Sequence, residues 1–210
     1  TTNMAEETLD TAAKILRAAE EEFMEKGYGN AKMMAIAARA GVSHSMLHYY
    51  YRSKEKLFQM VFDEKAQLIV GILEGIHSKE FDLKEVIAQF VRNQFNLLMD
   101  NDRFVWFIIN ELIHNEENMT KVIDIVKSKL SDYLLWFNDV LTKEIESGRI
   151  RSISGRSLIM NIISLNASSF LCIPVLKKLE PEMDINEYLI NRREENVEFI
   201  WNAIKNDKDQ

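Results

Sequence analysis

The residues with the most evident chemistry lie between Ser43 and Phe58. If Ser43 caps a short helix and Leu47 is its inward anchor, then His44, Ser45, Met46, His48 and Tyr49 are left facing outward. Small polar, imidazole, thioether and phenol groups on one short helix suit the edges of bases and the methyl groups of thymine. Lys54 opens the next helix behind Ser53, where its charge and the exposed backbone amides both favour a phosphate oxygen. His44 and His48 also have the i, i+4 spacing of two metal ligands. With no third ligand nearby and no H-E-x-x-H motif, contact with base or phosphate is the expectation, and neither a metal nor a cofactor is expected. Tyr49, Tyr50 and Tyr51 have packing of a small bundle as their alternative role, Tyr51 most of all.

A nucleic-acid partner conflicts at first with a net charge of −7. The charge is unevenly spread, however. From Asn30 to Lys56 the cations are Lys32, Arg39, Arg52, Lys54 and Lys56 against Glu55 alone, while the rest of the chain is acidic. A hydrophobic share of 47% and a charged share of 28% describe a folded globular chain. Only 7 Gly and 2 Pro interrupt it, so the fold class expected is all-α, with about nine helices. Cys172 has no second cysteine to pair with, which fits a reducing, cytoplasmic setting. No secretory leader and no apolar run of about 18 residues is read, so no membrane partner is expected. Catalysis would require a nucleophile with a base, paired carboxylates or a metal cluster; none is found at a workable spacing, and the chain is not read as an enzyme.

Periodicity supplies the elements that must hold these side chains. Leu9, Ala12, Ala13, Ile15, Leu16, Ala19 and Phe23 predict an amphipathic helix over residues 8–26, with Glu20, Glu21, Glu22 and Glu25 facing away and Gly27 ending it. A short helix follows from about Lys32 to Ala40, with Met33, Ile36, Ala37 and Ala40 inward and Met34, Ala38 and Arg39 outward. Gly41 breaks it before the short helix that carries His44 and His48. A helix from Lys54 to about His77 comes next, then one opened by a capping box at Asp82 and Glu85. A short buried helix over residues 104–114 precedes a long one that ends at Ser147-Gly148. The last two run from Ser154 to Lys178, bent or ended at Pro174, and from Asp184 to Asn206. Two short helices around a Gly turn, the second presenting outward polar groups, form a helix-turn-helix that can enter the major groove.

Gly27-Tyr28, Ile36-Ala37, Ala40-Gly41-Val42-Ser43, Leu47, Tyr49 and Ser53-Lys54-Glu55-Lys56-Leu57-Phe58 stand in one register over the first 65 residues or so. In these residues the chain resembles the TetR family of transcriptional regulators. The resemblance implies a three-helix DNA-binding bundle, residues 1–56, and a larger helical ligand-binding and dimerisation domain, residues 57–210. It adds Lys32 and Tyr50 as phosphate contacts, with Lys32 standing where the family commonly has a hydroxyl residue; Met34, outward on the helical period, is counted with the DNA-binding residues. It also implies a homodimer paired through the last two helices, double-stranded DNA as partner, and a small hydrophobic effector whose arrival loosens a repressor from its operator. Geometry agrees on the dimer, because an approximately palindromic site needs two reading helices about 34 Å apart. The body interleaves aromatic and polar residues: Phe90, Phe104, Phe107, Asn110, His114, Tyr133, Trp136, Phe137, Asn166 and Phe170 are the expected ligand-binding set, with core packing as their alternative role.

Overall fold

Helix-favouring residues with few breakers give nine helices among the residues that the computed structural model describes, which are 2–74, 76, 82–101, 105–107, 109 and 115–206. They are α1 (Thr2–Asn30), α2 (Met33–Ala40), α3 (His44–Tyr50), α4 (Lys54–Glu74), α5 (Leu83–Asp100), α6 (Glu116–Glu146), α7 (Gly155–Leu171), α8 (Ile173–Leu179) and α9 (Ile185–Ile204). The expected helix ends at His77 and over residues 104–114 fall largely outside the described residues, although 105–107 are helical. No single helix among the described residues is long and apolar enough to cross a membrane.

The chain divides into two compact units, residues 1–67 with 106–120, and residues 68–105 with 121–210. In the first unit, Ile15, Ala19, Phe23, Ile36, Leu47, Leu57, Phe58, Val61 and Phe62 are buried together with Phe107. Phe23 meets Phe58 edge-on at 5.1 Å between ring centroids, and Tyr28 meets Phe58 at 4.8 Å. Two points differ from the periodicity. α1 starts at Thr2 and resumes for a last turn beyond Gly27, whose φ of 69° and ψ of 168° interrupt the helix without ending it. Only glycine takes that conformation cheaply. Glu22, expected to face away, is 1% exposed. It accepts hydrogen bonds from the Lys32 backbone N–H (3.4 Å) and the Lys26 ammonium (2.9 Å), and it pairs with Arg39. Partners of this kind are what let a carboxylate stay buried.

In the second unit, α5, α7 and α9 pack on one another. Val86, Val91, Phe137, Leu158, Ile162 and Ile200 lie at the centre of its core. The starts of α5, α7 and α9 are each satisfied by a side chain. Asp82 accepts the Glu85 N–H (2.9 Å), Ser154 the Ser157 N–H (3.1 Å), and Asp184 the N–H groups of Asn186 and Glu187. Gly148, at φ 77°, closes α6 with hydrogen bonds from Gly148 N–H to Ile145 O and from Arg149 N–H to Glu144 O. The helix expected from Ser154 to Lys178 is two helices bent by 45° at Cys172. Pro174 lies in the first turn of α8, where its missing N–H leaves no helical bond unmade.

Candidate nucleic-acid interface and ligand cavity

α2 and α3 are joined by Gly41, which adopts φ 67° and ψ 29°. Its N–H donates to Ala38 O (3.2 Å) and the Val42 N–H donates to Ala37 O (3.0 Å). This pair of bonds ends α2 and turns the chain within two residues. Ser43 then starts α3 by accepting the Met46 N–H at 3.1 Å. Leu47 is fully buried, so the remaining faces of α3 are free of the core.

His44, Ser45, Met46, His48 and Tyr49 are all exposed, Tyr49 to 82%, and Met34 on α2 is 73% exposed. The His44 and His48 rings meet edge-on with their Nε2 atoms 3.2 Å apart, and His48 Nδ1 lies 3.4 Å from the Arg52 carbonyl oxygen. Tyr50 is half-buried and meets the Tyr49 ring edge-on at 5.5 Å. Tyr51 is buried and donates its hydroxyl to Ala12 O (3.2 Å), a packing role that ties α3 to α1. This arrangement presents hydrogen-bonding and apolar tips on one short helix, which is what reading base edges requires.

The cations near this surface are of two kinds. Lys32, Arg52 and Lys56 are exposed. Lys54, half-buried, donates to Gly29 O (3.3 Å) and sits 4.7 Å from the centre of the Tyr28 ring. Partial burial lowers its pKa, against an opposing pull from Glu22. Arg39 is held by Glu21 and Glu25, at 3.0 Å each, and by Glu22 at 3.5 Å. The hydrogen bond to Glu25 is the largest cause of its raised pKa. Arg39 therefore belongs to the scaffold of this unit, and its charge is answered by α1. Sequence reading missed Glu22, yet a signal was present: Ile15, Ala18, Ala19, Glu22 and Phe23 form one helical stripe, and Glu22 occupies a core position in it.

In the second unit a cavity of about 690 Å³ is lined mainly by Ile72, Phe90, Leu130, Leu134, Phe137, Ile159, Met160 and Ile163, with Gln94, Asn138, Ser154, Gly155 and Arg156 as the remainder. Of the expected ligand-binding set, Phe90 and Phe137 line it. Tyr133 is buried, stacked on Phe137 (6.1 Å) and beside Trp136 (5.4 Å), and burial pushes its phenol pKa up. Trp136 is packed against the same core. Phe170 packs on Phe95 (4.9 Å), and Phe107 packs on Phe58 and Phe62 in the first unit. Asn166 is fully buried, donating to Val91 O and Gln94 Oε1 and accepting from Asn196 Nδ2, each at 3.0 Å. Its polar groups are thereby spent on joining α5, α7 and α9. Phe104, Asn110 and His114 lie outside the described residues. The aliphatic lining and Arg156 were missed because a Leu or Ile on a helical stripe looks the same in sequence whether it meets a neighbour or a void.

Among known proteins, the family described as bacterial regulatory proteins, tetR family, matches residues 15–61, the span from α1 to the start of α4. The fatty acid metabolism regulator protein of Bacillus subtilis is 28% identical over 141 residues, 66% of this chain and 70% of that protein. The HTH-type transcriptional repressor BepR of Brucella suis is 26% identical over 151 residues, 70% of this chain and 71% of that one. Among solved structures, a TetR family transcription regulator from Marinobacter aquaeolei shares the fold at a TM-score of 0.66 and 17% identity, covering 96% of this chain and 99% of that one. The regulator FadR of Bacillus subtilis, solved with stearoyl-CoA, aligns at a TM-score of 0.58 and 25% identity over 88% of this chain and 97% of that one. A Gly-turned pair of short helices with an outward second helix is the part of the molecule that the family match covers; there the chain carries the DNA-binding region of the TetR family of transcriptional regulators, and the rest of it shares the fold of that family's solved structures.

Proposed function

We propose that this regulator is a homodimeric repressor that grips an approximately palindromic operator through α3 and lets go when a small, largely hydrophobic molecule occupies the cavity of the second unit. The observation that carries the DNA half is α3 itself: one buried anchor, Leu47, and five exposed side chains on the remaining faces. His44, Ser45, Met46, His48, Tyr49 and Met34 read bases, while Lys32, Tyr50 and Lys54 hold phosphates and set the register. Residues 1–56 serve as the DNA-reading part and residues 57–210 as the sensing and pairing part.

The effector half is supported by the largely apolar cavity. The likeness to a regulator solved with stearoyl-CoA, and to a fatty acid metabolism regulator, favours a fatty-acyl effector. Exposed Val175, Leu179 and Phe199 on α8 and α9 supply apolar area for pairing two copies. Coupling runs through α4, a continuous helix whose residues belong to one unit up to 67 and to the other from 68.

The test is fluorescence anisotropy with a duplex from the region upstream of the protein's own gene, titrated with and without long-chain acyl-CoA. Tight, salt-sensitive binding that weakens at least tenfold with ligand is expected, a coupling of about 1.4 kcal/mol. Binding no tighter than to unrelated DNA would overturn the first half, and binding indifferent to every acyl compound the second.

A further inference from the structure

The α6 and α7 walls of the cavity are polarised along their length, and among the described residues Gln94 of α5, whose side-chain oxygen is taken by Asn166 Nδ2 (3.0 Å), is the one polar lining residue outside those walls and their Ser154 lead-in. At one end the Asn138 side-chain oxygen lies against Gly155, in space that a Cβ there would fill, and Ser154 and Arg156 flank that glycine. From this end the lining runs along α6 from Asn138 back to Leu130, and along α7 from Gly155 on to Ile163. Eight residues at about 1.5 Å each make the path roughly 12 Å long. Beyond the polar end these two walls are Leu130, Leu134, Phe137, Ile159, Met160 and Ile163, all apolar. Among the described residues Arg156 is the one charged residue lining the cavity, and it is exposed and forms no ion pair with any of them.

We infer that the cavity binds a single-chain amphipathic monoanion, a fatty carboxylate, with its head group on Arg156 and Asn138 and its tail toward Leu130 and Ile163. This rests on reading the cavity as the effector site and adds the charge, the direction and the minimum length of its ligand. A planar guanidinium offers a carboxylate two parallel N–H donors, and the Asn138 amide supplies a neutral donor beside it. A neutral apolar molecule would leave Arg156 without a role. A cationic amphiphile would meet like charge at the mouth. A path of about 12 Å takes a chain of roughly ten carbons at ordinary C–C lengths. Shorter acids leave apolar wall uncovered, and each methylene withheld forfeits about 0.8 kcal/mol of transfer energy.

Calorimetric titration of the full chain with decanoate, decanol and decyltrimethylammonium, each below its micelle concentration, tests the inference. Decanoate should bind at least tenfold more tightly than decanol, and the cation more weakly than either. R156A should lower decanoate affinity about tenfold, to the value for decanol, and R156K should keep most of the preference because it keeps the charge. Equal affinity for decanoate and decanol in the natural chain would overturn the inference, and so would an undiminished preference in R156A. Anisotropy with the upstream duplex separates this from the functional reading. If decanoate binds through Arg156 yet leaves DNA affinity unchanged, the ligand site stands and its role as effector falls.

Discussion

Single residues in the reading surface divide by what they do when no DNA is present. His44, His48 and Tyr49 have no part in the core, so substituting them acts on recognition. His48→Ala and His44→Ala should reduce operator preference while changing affinity for unrelated duplexes little, because base contacts carry the sequence information. Competition assays with both duplexes check this, and equal loss on each would remove the pair from base contact. Lys54 is different, since its ammonium also bonds Gly29 O and covers Tyr28. Lys54→Ala should weaken DNA binding on all sequences and reduce the slope of log affinity against log salt by about 0.9, the loss of one phosphate contact. It should also lower the melting temperature of the free protein. A lower melting temperature with an unchanged salt slope would assign Lys54 to the scaffold alone.

At the scale of elements, the helix-turn-helix depends on two internal devices. Gly41 holds φ 67° with no atom within 4 Å of where a Cβ would stand, so the cost of Gly41→Ala is conformational and not steric. It should destabilise the chain by about 1–2 kcal/mol, and Gly41→Asn should cost less. Denaturant midpoints measure both, and a neutral alanine would show that the turn relaxes. Glu22 receives the Lys32 N–H at the start of α2 and Arg39 near its end, so one carboxylate braces the helix that backs α3. Glu22→Ala should cost about 1–3 kcal/mol by leaving those donors without their acceptor. Glu22→Gln, which keeps an acceptor, should recover part of it; identical losses would mean that volume matters more than hydrogen bonding. Much of this level was legible beforehand. Gly41, the Ser43 and Asp82 caps and Leu47 follow from local rules, because each is decided within about four residues. The break at Cys172 sits two residues ahead of Pro174, the position from which a bend was expected.

For the whole molecule, burial raises the phenol pKa of Tyr133, and of Tyr51 as well. Below pH of about 10 these groups are neutral in both folded and unfolded chains. Above it the unfolded chain ionises while the fold holds the proton, so stability should fall as pH rises beyond about 10. Melting temperature against pH should decline less steeply above 10 in Tyr133→Phe, and an unaltered decline would assign it elsewhere. Pairing of two copies should give a dimer in sedimentation that Phe199→Asp breaks, since Phe199 is 65% exposed on α9. A dimer insensitive to that change would place the pairing surface elsewhere. By itself the sequence determined the all-α class, the helix-turn-helix and its outward residues, because helical period, caps and glycine turns are local and the family signature lies within one short stretch. Tertiary structure alone decided that Arg39 is enclosed by α1 carboxylates, that Glu22 is buried, that Asn166 joins three helices, and that aliphatic residues with Arg156 line the cavity. Those facts depend on which faces of distant helices meet, and a residue's type and helical phase carry no record of what stands opposite it.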